Sequence, residues 1–95
     1  MMPTEVRASH ILVLTEKEAQ DLKKKIAEGE KFARVAKRFS TCPSSDEGGD
    51  LGFFSKGMMA QEFEDAAFKA PLNKVVGPVK TEFGYHLIMV TEQKD

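Results

Sequence analysis

Two stretches of period-two alternation stand near the two ends of this 95-residue chain, and helical patterns lie between them. The first runs from Glu5 to Leu14, with Val6, Ala8, His10 and Leu12 on one face and Arg7, Ser9, Ile11 and Val13 on the other. The last runs from Phe83 to Thr91, with Phe83, Tyr85, Leu87 and Met89 alternating against His86, Ile88 and Val90. Thr15-Glu16-Lys17-Glu18 reads as a capping box, Thr15 accepting from the Glu18 N–H while Glu18 reaches back, with Leu14 and Ala19 as a hydrophobic staple. The helix it opens continues through Leu22 and Ile26 and stops at Gly29. Phe32, Val35, Ala36 and Phe39 form a second helical stripe at i, i+3, i+4, i+7. Met59, Phe63, Ala66 and Ala67 carry a third, ended by Pro71. Leu51 to Ser55 reads as a short strand, and Lys74 to Lys80 as a turn or edge strand, because Pro78 has no N–H for a ladder. The expected order is β-α-α-β-α-β-β and the class is α+β.

Composition bounds what such a chain can do. At 41% hydrophobic residues it supports one compact core and not two, so residues 1–95 read as a single domain. Fourteen Lys and Arg balance fifteen Asp and Glu, which leaves no global electrostatic footprint for nucleic acid. The run Lys23-Lys24-Lys25 lacks interleaved aromatics and reads as the solvated face of a helix. An apolar run such as Ile11-Leu12-Val13-Leu14, which no other run exceeds, is far below the roughly 20 residues of a membrane span. One cysteine, Cys42, excludes an intrachain disulfide and a multi-thiolate zinc ribbon. Met1-Met2-Pro3-Thr4 has neither a charged nor an apolar signal region, which with the free thiol fits a reducing cytoplasm.

Three side chains could carry chemistry: His10 and His86, each on a strand, and Cys42 in a polar, Gly- and Ser-rich loop from Ser40 to Gly52. A thirteen-residue loop in so small a domain suggests a working loop. His10, His86 and Cys42 are the right ligand types for zinc, but no local His spacing supports a metal and a fourth ligand is missing. A Cys–His hydrolase would need an oxyanion hole and a cleft, for which the chain leaves little room. Gly48-Gly49-Asp50-Leu51-Gly52 is not followed by Lys-Ser/Thr, so it is no phosphate cradle; the glycines let the backbone turn tightly and re-enter the sheet. A third reading is a site that uses these polar groups without covalent chemistry; a fourth is that each His is a satisfied, partly buried strand residue and Cys42 an incidental thiol. No spacing suggests a metal or organic cofactor.

Four segments in order resemble the parvulin family. They are Arg7-Ala8-Ser9-His10-Ile11-Leu12-Val13; Phe39-Ser40-Thr41-Cys42-Pro43-Ser44 with Gly48-Gly49-Asp50-Leu51-Gly52-Phe53-Phe54; Met59 through Phe63-Glu64-Asp65-Ala66-Ala67-Phe68; and Gly77-Pro78-Val79 with Thr81-Glu82-Phe83-Gly84-Tyr85-His86-Leu87-Ile88. The resemblance covers almost the whole chain. It implies a peptidyl-prolyl cis/trans isomerase with a four-stranded antiparallel sheet surrounded by helices, the FKBP-like superfold. It implies that His10 and His86 are hydrogen-bonded neighbours on adjacent central strands, that Thr81 orients His86, and that Cys42 faces the carbonyl that rotates. Met59 and Phe63 would be the half-exposed floor of a proline pocket, Leu51 and Phe83 its walls, and Phe68 would join the substrate-contacting set. Parvulins carry Cys or Asp at the Cys42 position, which argues for an electrostatic role and against a nucleophile. Phosphate-directed parvulins carry a basic loop after the first strand; here Leu14 leads straight into Thr15-Glu16-Lys17-Glu18. The expected partners are therefore unphosphorylated, Pro-containing peptides and unfolded proteins, met by a monomer. The rival class is a binding or chaperone module that holds the same segments without turnover.

Overall fold

The computed structural model describes residues 3–95; Met1 and Met2, on which the reading of the N-terminal segment partly rests, lie outside the described residues. Strand β1 (Glu5–Val13) is followed by helices α1 (Glu16–Ala27) and α2 (Phe32–Phe39), a short 3-10 helix (Pro43–Glu47), strand β2 (Asp50–Ser55), helix α3 (Gln61–Lys69) and strands β3 (Val75–Thr81) and β4 (Gly84–Lys94). The four strands form one antiparallel sheet in the order β2-β1-β4-β3. The two alternating segments seen in the sequence are thus the two central strands, paired from Glu5 opposite Lys94 to Val13 opposite Tyr85.

Alternation divides the core between the two faces of the sheet. Val6 and Ala8 of β1 join Ile88 and Val90 of β4, Phe54 of β2 and Phe63, Ala67 and Phe68 of α3 on one side. Ile11 and Val13 join Leu87 and the inner stripes of α1 and α2 on the other, with Ala19, Leu22, Phe32, Val35 and Ala36. Pro78 lies on the edge strand β3, where its missing N–H costs no ladder bond. The Glu18 N–H donates to Thr15 Oγ1 at 3.2 Å, and α1 closes just before Gly29, whose φ is +118°.

Four expectations about local structure are corrected. Leu14 is 71% exposed, so it does not staple onto the buried Ala19. Met59 is not on α3 but two residues before it, so the third stripe is carried by Phe63, Ala67 and Phe68. Phe83 lies in the turn before β4 and is exposed. Lys23 is not simply solvated: its Nζ donates to the Gly77 carbonyl at 2.7 Å and ties α1 to the edge strand, while Lys24 and Lys25 stay exposed. No helix among the described residues is long and apolar enough to cross a membrane.

Candidate active site

The register of the central strands builds the polar centre. Leu12 sits opposite His86 and His10 opposite Ile88, so the two histidines are diagonal neighbours on one face, within reach of ring side chains. Their rings stack with centroids 5.2 Å apart, and the two Nδ1 atoms face each other at 3.0 Å. Thr81 ends β3, and its Oγ1 lies 2.7 Å from His86 Nε2. Both histidines are 5% exposed and Thr81 is 6% exposed.

Two nitrogens facing each other at hydrogen-bond distance share one proton, so the rings hold complementary tautomers. Thr81 Oγ1 already accepts the Phe83 N–H at 3.2 Å, which leaves its own proton to donate to His86 Nε2. His86 Nδ1–H then donates to His10 Nδ1, and His10 carries its proton on Nε2, which has no partner among the described residues. The reverse direction would leave both the Thr81 proton and His10 Nε2 unpaired, so the first is favoured. Burial, with the neighbouring His86 adding to it, pushes the His10 pKa down to about 4, and burial lowers His86 too. The pair is neutral at pH 7.

Above this polar floor opens a pocket of about 350 Å³. Leu51, Met59, Phe63 and Phe83 line it with His10, Thr81 and His86, and Cys42 stands in its wall, half-buried and as a free thiol. The structure therefore brings together eight of the nine residues singled out from the sequence. Phe63 is buried, at 3% exposure, and not half-exposed as expected. Its ring stands nearly perpendicular to both imidazoles, with centroids 5.5 Å from His10 and 5.3 Å from His86. The ninth residue, Phe68, does not line the pocket. It packs against Phe54 in the core and carries Lys56 over its ring. Five residues along a helix turn the side chain by about 140°, so Phe68 shares the buried stripe and the contact with Phe54 but not the pocket-lining edge of it.

Leu12, Thr41, Pro43 and Ala60 also line the pocket and were not singled out. Leu12 had a signal, since it shares the face of His10 two residues on. A contact with no sequence signal is the fork of Arg7 on Asp50, with Nη2 to Oδ2 at 2.6 Å and Nε to Oδ1 at 3.2 Å, while Nη1 reaches Glu92 at 3.0 Å. The guanidinium holds the Asp50 carboxyl below the usual range. Asp50 Oδ1 also accepts the Gly52 N–H at 2.9 Å, which bends the chain around Leu51 at the pocket wall. Among the described residues no group of three or more His, Cys, Asp or Glu side chains is placed to hold a metal ion.

Residues 1–94 match the family model of the PPIC-type PPIase domain. The chain is 52% identical over 91 residues to the foldase protein PrsA of Geobacillus sp. (strain WCH70), a match covering 95% of this chain and 33% of that protein. It is 50% identical over 90 residues to PrsA of Bacillus subtilis (strain 168), covering 94% and 31%. It thus spans about a third of the length of these curated relatives. Among solved structures, peptidylprolyl isomerase (PrsA) from Bacillus anthracis superposes with a TM-score of 0.95 at 45% identity, over 99% of this chain and 43% of that one. NmPin, the parvulin of Nitrosopumilus maritimus, superposes with a TM-score of 0.85 at 44% identity, over 94% and 97%.

Proposed function

Because the chain belongs to the PPIC-type PPIase domain family, we propose that residues 1–95 act as one parvulin domain that rotates X–Pro bonds without covalent chemistry. The observation that carries the reading is the neutral His10–His86–Thr81 chain lying at the floor of an otherwise apolar, solvent-open pocket. An X–Pro bond turns over a barrier near ~20 kcal/mol and takes tens of seconds or more unaided. The planar amide is the charge-separated form, and it is best solvated in water. A pocket of Leu51, Met59, Phe63 and Phe83 side chains is more complementary to the twisted amide, whose carbonyl and nitrogen are less polarised. An acceleration of about 10³–10⁵ needs only ~4–7 kcal/mol of such differential binding.

The residues divide the work. The proline ring sits among the apolar walls. The imidazole pair holds those walls in register and offers no charge that would favour the planar form. Cys42 faces the turning carbonyl from the wall of the pocket. Leu14 and Phe83 are both exposed, each just beyond the Val13–Tyr85 pair that ends the central ladder. They suit an apolar residue before the proline. Thr15 caps a helix whose first turn carries Glu16 and Glu18, and their like charge disfavours a phosphorylated residue there. The substrates are Pro-containing flexible or unfolded segments, and the domain works as a monomer that assists folding. The free thiol in the pocket wall suits a reducing compartment such as the cytoplasm, which cell fractionation checks.

Exchange spectroscopy on a short Leu-Pro peptide tests the reading. Catalytic amounts of the domain should produce exchange between the cis and trans signals on the subsecond scale. Saturable shifts at Met59 and Phe63 without such exchange would establish the binding module instead.

A further inference from the structure

The ladder between β1 and β2 ends where Ser9 meets Asp50, yet β1 continues to Val13. The outer backbone groups of its second half therefore need other partners. The segment carrying Cys42 supplies them. The His10 N–H donates to the Gly49 carbonyl at 2.9 Å. The Leu12 carbonyl accepts the Thr41 N–H at 2.8 Å and Thr41 Oγ1 at 3.2 Å. The Leu12 N–H donates to Ser40 Oγ at 3.0 Å, so a side-chain oxygen stands where a neighbouring strand would place a carbonyl. The same oxygen accepts the Cys42 N–H at 3.4 Å.

Ser40 has no need of this hydroxyl for its own helix. It follows the last residue of α2, and its backbone N–H already closes on the Ala36 carbonyl at 3.0 Å. The hydroxyl serves only the joint between β1 and the Cys42 segment. We propose that Ser40 is a positioning residue for the isomerisation: its Oγ couples the strand bearing His10 to the backbone of Cys42 and so fixes where the thiol stands against the rotating carbonyl. This rests on the isomerase reading of the pocket. One acceptor shared by two donors ties the Leu12 and Cys42 amides to the same oxygen. Without it the Leu12 and Cys42 N–H groups turn to water, and the chain pivots at Thr41.

The test combines two readouts on wild type, Ser40→Ala, Ser40→Gly, Ser40→Thr, Cys42→Ala and the Ser40→Ala/Cys42→Ala double variant. Ser40→Gly also deletes the hydroxyl and suits a helix end, so it serves if Ser40→Ala folds poorly. With a Leu-Pro peptide, deletion should lower kcat about tenfold while KM changes less than about twofold, since the proline walls are untouched. Ser40→Thr keeps Oγ and should restore kcat. On the Cys42→Ala background the Ser40 deletion should have no further effect, because it acts through that residue. Amide hydrogen exchange at Cys42, which needs no turnover, should quicken in the deletions and not in Ser40→Thr. Wild-type kcat in a folded deletion variant overturns the proposal, as does an equal loss with and without Cys42, or an unchanged Cys42 amide. A wild-type chain that catalyses no exchange, with the Cys42 amide responding as expected, overturns the isomerase reading and leaves the joint standing.

Discussion

A buried imidazole pair with one shared proton sets the acid stability of this protein. A proton added to either ring places two N–H groups against each other or charges a ring that has almost no contact with water. His10 has a native pKa near 4, against about 6.5 in an unfolded chain, so the unfolded state takes up protons first as pH falls. The stability held by this group is complete above about pH 6.5 and drains away as pH falls towards 4. The slope approaches ~1.4 kcal/mol per pH unit, and the total is on the order of 3 kcal/mol. His86, lowered in the same direction, adds to the loss; Asp50, held down by Arg7, adds its own only below about pH 4. Urea midpoints measured between pH 7.5 and 4.5 should fall steadily, and the dependence should flatten in His10→Gln. A flat profile in wild type would show that the pair does not discriminate between protonation states. Cys42 gives a second test at this scale. A group that only shapes the field near the carbonyl is replaceable by a smaller polar one, so Cys42→Ser should keep kcat/KM within about tenfold, or ~1.4 kcal/mol, of wild type. Complete loss with peptide binding intact would point to a covalent role. The sequence carried the identity of these side chains, because His10, Cys42, Thr81 and His86 fall in motifs. The burial of Phe63 and the absence of Phe68 from the pocket lining depend on helix phase, which motif order does not encode.

At the scale of elements, the second half of β1 and the Cys42 segment behave as one unit. Gly49 is a point of close approach between them. Its φ is +88°, and a Cβ there would overlap the His10 carbonyl oxygen and press on Ala36 Cβ at 3.2 Å. Gly29, at φ +118°, would meet nothing within 4 Å. Both positions strain an L-residue, so the difference between them isolates the steric clash. Gly29→Ala should cost about 1 kcal/mol and Gly49→Ala about 3 kcal/mol or more. Denaturant titration of the two variants measures this, and equal losses would mean that the strand edge yields. The Thr15 cap, the α2 stripe, the edge position of β3 and the two-faced alternation of β1 and β4 were legible because each is a local pattern, while no return bond from Glu18 forms among the described residues. The start of α3 was not: Met59, Phe63 and Ala66 fit a helical period, yet Met59 precedes the helix and reaches the pocket from a turn. The link from Ser40 to Leu12 and the fork from Arg7 to Asp50 join residues 28 and 43 positions apart. Such contacts exist only once the sheet has assembled.

For the molecule as a whole, the proposed preference for unphosphorylated prolines has an electrostatic and an apolar part. A net charge of −1 gives little long-range attraction for anions, so selectivity rests on what stands next to the pocket. There the short turn from β1 to α1 offers the exposed Leu14, then Glu16 and Glu18, and no arginine. A phosphoserine before the proline brings nearly two negative charges and three acceptor oxygens, and it meets apolar surface and carboxylates. It also loses the burial that Leu14 and Phe83 offer to a leucine. Two charges about 10 Å apart in water repel by only ~0.4 kcal/mol, so the electrostatic part of the penalty is modest and the apolar part decides most of it. The ratio of kcat/KM for a Leu-Pro peptide to that for its phosphoserine-Pro counterpart should therefore be about tenfold or more at low salt. Raising the salt to 0.5 M should shrink the ratio only slightly, since screening removes the repulsion but not the lost burial. A phosphopeptide turned over faster than the leucine peptide would overturn this assignment of substrate, because the one cation between Leu14 and Glu18, Lys17, is already paired with Asp21 at 3.1 Å and flanked by two carboxylates.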